Sequence, residues 1–209
     1  MVTTQARTRL ARAAVIDAGR ALFLDRGYAA TTMDAISAES DVPPATVYRL
    51  FSSKRGILKA LIDVSIVGDD HPIALLQRPN IQALLADPDP RTMVRSLVRV
   101  AIEVNARTAA IYRILVSASD SDSEAATLME ELTRQRQRGQ GMVARALARR
   151  RALRQSVREA DARDIIHALV SPEMYRLFVV DREWPPKKYE DWLTDTLIAQ
   201  LLPEPASQR

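Results

Sequence analysis

The chain has 209 residues, 47% hydrophobic and 27% charged, the balance of an ordinary globular protein with room for a sizeable core in one large domain or two small ones. It has no cysteine, which excludes disulfides, thiolate metal sites and cysteine nucleophiles and accords with the cytoplasm. No apolar run approaches the ~18 residues of a membrane span, and the start, MVTTQARTRLARAAV, has arginines but no apolar leader, so no secretory peptide is expected.

The net charge of +4 is unevenly placed. Residues 1–60 hold nine Lys/Arg against five acids, and the rest, by subtraction from 30 and 26, holds 21 of each sign. All the excess positive charge lies in the first part of the chain, the electrostatic footprint of a phosphate-binding module.

Residues 2–9 lack apolar periodicity and are expected to form a flexible arm, with Arg7, Arg9 and Arg12 available for phosphates or the minor groove, a solvated tail being the equal alternative. From Leu10 to Arg26, Val15, Ile16, Gly19, Leu22 and Phe23 mark the inward face of a helix. Gly19 costs a helix up to ~1 kcal/mol relative to Ala, so another helix should cross closely there. Gly27 supplies the stop, as a left-handed cap. Thr31 or Thr32 caps the next helix, with Asp34 in its first turn and Met33 and Ile36 on its inner edge. The turn Ser40-Asp41-Val42 needs a left-handed residue, a role Asp41 tolerates, and Val42 plugs the space beneath.

Pro43 and Pro44 open the second short helix, where a missing N–H does no harm. Val47, Leu50 and Phe51 face inward; Thr46, Tyr48 and Arg49 face outward, able to reach phosphates or base edges. Two short helices joined by a tight turn, the second with an exposed polar face, are a helix-turn-helix. Because neither proline can donate to phosphate, the turn Pro43-Pro44-Ala45 reads DNA by shape and apolar contact. Arg49 is the candidate for a direct contact to guanine, with a phosphate clamp or surface ion pair as the alternative. Ser52-Ser53 caps the following helix, which begins at Lys54 and runs through Ile57, Leu58, Leu61, Ile62, Ser65 and Ile66 to about Val67 as a connecting rod.

Phe23, Gly27-Tyr28, Thr32, Ile36, Val42, Thr46, Val47, Tyr48, Phe51, Ser53-Lys54 and Leu58 fall, in order, where the N-terminal domain of the TetR family of transcriptional regulators has its recurring residues. Residues 10–60 thus resemble that domain. The resemblance implies an all-α fold, with a three-helix helix-turn-helix domain over 1–56 joined to a larger helical effector-binding and dimerisation domain over 57–209. It also implies sugar-phosphate contacts from Tyr48 and Lys54, with packing as the alternative role of Tyr48, a homodimer on a palindromic operator in double-stranded DNA, a small-molecule effector, and most often repression. Asp41 stands where the family usually has Gly, Pro43 where many relatives have Ser, and Ala45 where many have Gly.

Gly68-Asp69-Asp70-His71-Pro72 reads as a turn; His71 has only the distant His167 as a histidine companion, so no metal centre or cofactor is expected. Segments 73–86 and 91–118 are helical in pattern, split by Asp87-Pro88-Asp89-Pro90, with Met93, Leu97, Val98, Ala101, Ile102, Ile111, Tyr112, Leu115 and Val116 inward. After the polar loop 117–123, a long helix from Glu124 to about Arg150 carries Leu128, Leu132, Met142, Val143 and Leu147, with Gly139 and Gly141 marking a point of kinking. No acid occurs between Glu131 and Glu159, where nine arginines from Arg134 to Arg158 accumulate. Without interleaved aromatics this favours charges that meet acids elsewhere over a second nucleic-acid surface.

A helix from Ala160 to about Asp181, bent at Pro172 and ended by Trp184-Pro185-Pro186, precedes a last helix over 189–202. Both are apolar over too wide an arc for one-sided burial, and the resemblance implies that they pair across a two-fold axis as a four-helix bundle. Ile102, Tyr112, Leu115, Met129, Met142, Met174, Tyr175 and Phe178 are the candidate ligand contacts, because Met and aromatic side chains suit adaptable apolar cavities, plain core packing being the alternative. Few ionisable groups stand among them, which favours a lipophilic effector. With no Cys, HExxH or glycine-rich phosphate loop and only two histidines, an all-helical enzyme is disfavoured. A dimerising adaptor that has lost DNA binding is the other alternative, on the strength of Asp41, Pro43 and Pro44.

Overall fold

The computed structural model describes residues 4–68 and 75–204, and every regular element among them is helical. In chain order these are α1 (Thr4–Ala30), α2 (Met33–Ser40), α3 (Pro44–Phe51) and α4 (Lys54–Val67). Then come a single 3-10 turn (Leu75–Gln77), α5 (Pro79–Ala86), α6 (Pro90–Ser119), α7 (Ser123–Arg149), α8 (Glu159–Leu169), the short α9 (Pro172–Tyr175), a π turn (Arg176–Asp181) and α10 (Pro186–Leu201). The all-α expectation holds. The expectations for Asp69, Asp70, His71 and Pro72 lie outside the described residues, as do those for residues 2 and 3.

The described residues fall into two compact units: 4–68 with 110–131, and 75–109 with 132–204. In the first, α1 is longer than its apolar pattern. Residues 4–9, expected as an arm, are helical, since no proline or glycine stands ahead of Leu10 and Ala and Arg propagate a helix well. Gly27 interrupts α1 as expected but not as a left-handed cap: it lies at φ 79°, ψ 168°, an extended positive-φ region essentially reserved for glycine. The core of this unit gathers Val15, Phe23, Ile36, Val47, Ile57 and Leu58, with Ile111, Leu115 and Leu128 from α6 and α7.

Gly19 is the close crossing. A Cβ there would lie 2.7 Å from Ile57 Cγ2, so the α1–α4 approach depends on the missing side chain. Gly56 is more constrained still: its Cβ would meet the Phe51 carbonyl oxygen at 2.1 Å, in the tight α3–α4 turn where Ser52 takes φ 61°.

The second unit packs α5, α8, α10 and the remaining parts of α6 and α7 around Met93, Val98, Leu147, Ile166, Leu193 and Leu197. Proline sets two breaks differently from expectation. Instead of bending one long helix, Pro172 opens α9 after a break at Val170–Ser171, where the Ser171 hydroxyl accepts the Met174 N–H at 3.2 Å. Pro185 and Pro186 likewise open α10 rather than only ending what precedes it, for the same reason that Pro43 and Pro44 open α3. α7 runs through Gly139 and Gly141 without a break.

Two expected core side chains face water. Val116 is 41% exposed because the buried stripe of α6 follows Ile111, Leu115 and Ala118, and Met142 is 37% exposed because that of α7 follows Gln140, Val143, Ala144 and Leu147. Ala101, Ile102 and Tyr112 are half-buried.

Candidate nucleic-acid interface

The first unit builds a helix-turn-helix from α2, its turn and α3. Thr32 is the cap of α2: its hydroxyl oxygen accepts the Ala35 N–H at 3.1 Å, which leaves the hydroxyl proton available on an exposed residue. Thr31 instead turns inward, fully buried, and donates to the Gly27 and Leu22 carbonyls at 2.8 and 3.3 Å. Asp41 adopts the left-handed conformation, φ 52°, ψ 30°, and its N–H and that of Val42 close the end of α2 on Ala38 and Ser37. Val42 is buried, and its carbonyl accepts the Ser37 hydroxyl at 2.6 Å.

α3 starts without a side-chain cap. The Pro43 carbonyl accepts the N–H groups of Thr46 and Val47 at 2.8 and 3.1 Å, and Pro43, Pro44 and Ala45 are all exposed. Val47 and Phe51 are buried beneath, while Tyr48 is 48% exposed and Arg49 is exposed. Thr46 is half-buried. Arg12, expected to reach toward DNA from the arm, lies over the Phe51 ring at 4.9 Å from its centroid.

Lys54, the first residue of α4, is half-buried and already engaged. Its ammonium donates to the Tyr28 carbonyl at 2.7 Å and sits 4.2 Å from the Tyr28 ring centroid. Burial lowers its pKa from the ordinary lysine value, against the pull of Asp122. Burial, and then the charges of Asp122 and Glu124, push the Tyr28 phenol up to about 12, so it stays protonated. Asp122 therefore belongs to the electrostatic surroundings of the interface, and Arg55 on α4 pairs with Glu131 on α7 at 3.0 Å. Neither acid is apparent from the local sequence, because both are far along the chain.

The candidate ligand contacts are divided between the two units. Tyr112, Leu115 and Met129 belong to the first unit and Ile102, Met142, Met174, Tyr175 and Phe178 to the second. Tyr175 packs edge-on to Tyr189, and Phe178 contacts Trp184, Tyr189 and Trp192 with centroids 4.6–5.7 Å apart. The arginine-rich stretch meets partners within the second unit: Arg145 pairs with Glu159, Arg158 with Asp161, and Arg150 and Arg154 donate to the Leu85 and Ala199 carbonyls. Arg136 and His167 form a further polar contact, missed in sequence; its local signal is Gln140, a polar residue in the register of Val143, Ala144 and Leu147.

Residues 15–61 match the family model described as bacterial regulatory proteins, tetR family. The uncharacterized HTH-type transcriptional regulator YvkB of Bacillus subtilis (strain 168) is 38% identical over 48 residues, 23% of this chain and 25% of that protein. The chain thus matches about a quarter of that relative's length. Among solved structures, the SmeT–triclosan complex aligns with TM-score 0.72 at 19% identity, over 93% of this chain and 92% of that one. Native NalD, described as the secondary repressor of the MexAB-OprM multidrug efflux pump in Pseudomonas aeruginosa, aligns with TM-score 0.73 at 18% identity, over 93% and 97%. At such identities the likeness is one of fold.

Proposed function

We propose that this chain, whose residues 15–61 match the tetR family of bacterial regulatory proteins, is a member of that family: a cytoplasmic, homodimeric repressor that binds a palindromic operator and is released by a small lipophilic effector. The observation that carries the proposal is the two-faced α3: Val47 and Phe51 buried, Tyr48 and Arg49 exposed, behind a turn held by a left-handed Asp41. Residues 1–56 are the DNA-binding part and 57–209 the effector-binding and dimerising part.

Thr32 and Lys54 at two helix starts, with Tyr48, hold the sugar-phosphate backbone; Pro43, Pro44, Ala45 and Thr46 fit the groove by shape; Arg49 reads a guanine. Two copies place their α3 helices in successive major grooves ~34–36 Å apart. Pairing of α8 and α10 across a two-fold axis covers the half-exposed Ile165, Leu169, Trp192 and Ile198. Effector contacts fall to Ile102, Met174, Tyr175 and Phe178 of the second unit, and the triclosan held by a protein of the same fold supports a lipophilic ligand. About 5.5 kcal/mol of preference for the non-binding spacing converts a mostly bound population into a mostly free one.

Selection of bound duplexes from a random library, read beside the mass of the protein in solution, tests the proposal. A dimer that enriches an approximate palindrome supports it. A monomer, or a library that returns no enriched sequence, contradicts it.

A further inference from the structure

A polar layer crosses the apolar core of the second unit. Asn105 on α6, buried, donates from Nδ2 to the Val170 and Ser171 carbonyls at 3.2 and 3.4 Å, at the break between α8 and α9. One turn back on α8, His167 Nδ1 lies 2.7 Å from Oε1 of the buried Gln140 on α7, and its Nε2 lies 3.3 Å from Arg136 Nη2. A guanidinium can only donate, so Nε2 accepts from Arg136 and the Nδ1–H donates to Gln140. The imidazole is neutral, and the positive charge of the layer rests on Arg136.

The other arm of that guanidinium is not satisfied in the same way. Arg136 Nη1 is shielded from solvent and makes no hydrogen bond; Glu173 Oε2 is 3.7 Å away, on a side chain 55% exposed. A donor edge of a fixed planar fork, out of water and beside a carboxylate that can swing into solvent, suits an oxyanion. The core of the same unit is hydrocarbon: Ile166, Val170 and Tyr175 are buried in it, and Ile165, Leu169 and Phe178 pack against it.

We propose that the Nη1 edge of Arg136 anchors the carboxylate of an effector whose remaining body is apolar, the ligand replacing Glu173 as the partner of the guanidinium. This rests on the proposed role of the chain as an effector-responsive regulator, and it narrows the effector class from lipophilic compounds in general to lipophilic monocarboxylates. A cation is repelled by Arg136, and a neutral ligand leaves Nη1 without a charged partner. Gln140 and Asn105 act as positioning residues: Gln140 fixes the tautomer that makes His167 an acceptor, and Asn105 holds the α8–α9 break that presents Glu173.

The test is a titration of the full chain, followed by the fluorescence of Trp184 and Trp192, with octanoate against octanamide and salicylate against salicylamide. DNA binding is measured alongside. At least one acid should bind about tenfold or more tightly than its amide, and Arg136→Met should erase that difference while the amide binds as before. Arg136→Gln, which keeps an amide donor toward His167, carries the same expectation if Arg136→Met does not fold. Equal binding of acid and amide to the wild-type chain, or a preference that survives in a folded Arg136 variant, overturns the anchor. A chain that binds DNA but neither acid overturns the anchor and leaves the regulator intact; one that binds an acid through Arg136 but no DNA does the reverse.

Discussion

The ammonium of Lys54 donates to the Tyr28 carbonyl at 2.7 Å while lying over the same residue's ring, 4.2 Å from its centroid. One side chain thus ties the start of α4 to the end of α1, across the break at Gly27. Lys54→Ala should therefore have two effects: a loss of about 1–2 kcal/mol of stability from the charged hydrogen bond and the ring contact, and weaker binding to all DNA sequences alike. Urea unfolding and binding to unrelated duplexes measure the two separately. A variant that unfolds earlier but binds DNA unchanged removes Lys54 from the interface and leaves it structural.

Tyr48 and Arg49 are neighbours on the exposed face of α3, yet they should fail differently. Tyr48→Ala should reduce affinity uniformly across sequences, because a sugar-phosphate contact carries no base information. Arg49→Ala should relax preference at one base pair by about 1–3 kcal/mol. Comparing the selected-site profiles of the two variants checks this. An unaltered profile for Arg49→Ala assigns that guanidinium to phosphate.

The glycines at the α1–α4 crossing and the α3–α4 turn should tolerate alanine unequally. At Gly56 the new Cβ meets a backbone oxygen at 2.1 Å, which cannot yield without opening the turn, so Gly56→Ala should cost about 3 kcal/mol and abolish DNA binding. At Gly19 the neighbour is the buried Ile57 side chain, and a gain in helix propensity of up to ~1 kcal/mol partly offsets the overpacking. Gly19→Ala should cost roughly 1 kcal/mol and keep the fold. Denaturant midpoints that rank the two variants the other way contradict the packing described.

His167 should make stability fall on the acid side of neutrality. Burial first, then the charge of Arg136, hold its pKa below the ordinary 6.5, with Glu173 and Asp164 opposing. The unfolded chain binds a proton near pH 6.5 and the folded chain only at lower pH, so stability drops as pH falls below 6.5. It stops dropping once the folded pKa is passed. Urea midpoints against pH should therefore slope less for His167→Gln than for the wild-type chain, and superimposable profiles contradict the neutral imidazole.

The helix-turn-helix was legible in the sequence because its signals are local: Thr32, Asp41, Pro43 and Ser53 each act within four residues, and the apolar spacing of Ile36, Val47 and Phe51 reports the buried face directly. Gly19 was legible for the same reason, as a cost in helix propensity that only a close neighbour explains. What the sequence hid are contacts whose partners lie far along the chain. Tyr28 meets Lys54 across 26 residues, Arg136 meets His167 across 31 and Asn105 meets Val170 across 65. No periodicity encodes such pairs. The acid-free arginine stretch gave only its charge, and its acids and carbonyls came from α5, α8, α9 and α10. Pro185 and Pro186 signal a start as well as a stop, by the same chemistry as Pro43 and Pro44.

The most direct test of the central claim, that a cationic head grips duplex DNA through its phosphates, is fluorescence anisotropy with an enriched duplex across a salt series. Affinity should fall steeply, with log K against log salt sloping by about −0.9 for each phosphate neutralised, roughly −5 to −9 for two heads. A slope near zero, or no binding at the lowest salt, would contradict it and favour the alternative of a helical adaptor without a DNA-binding role.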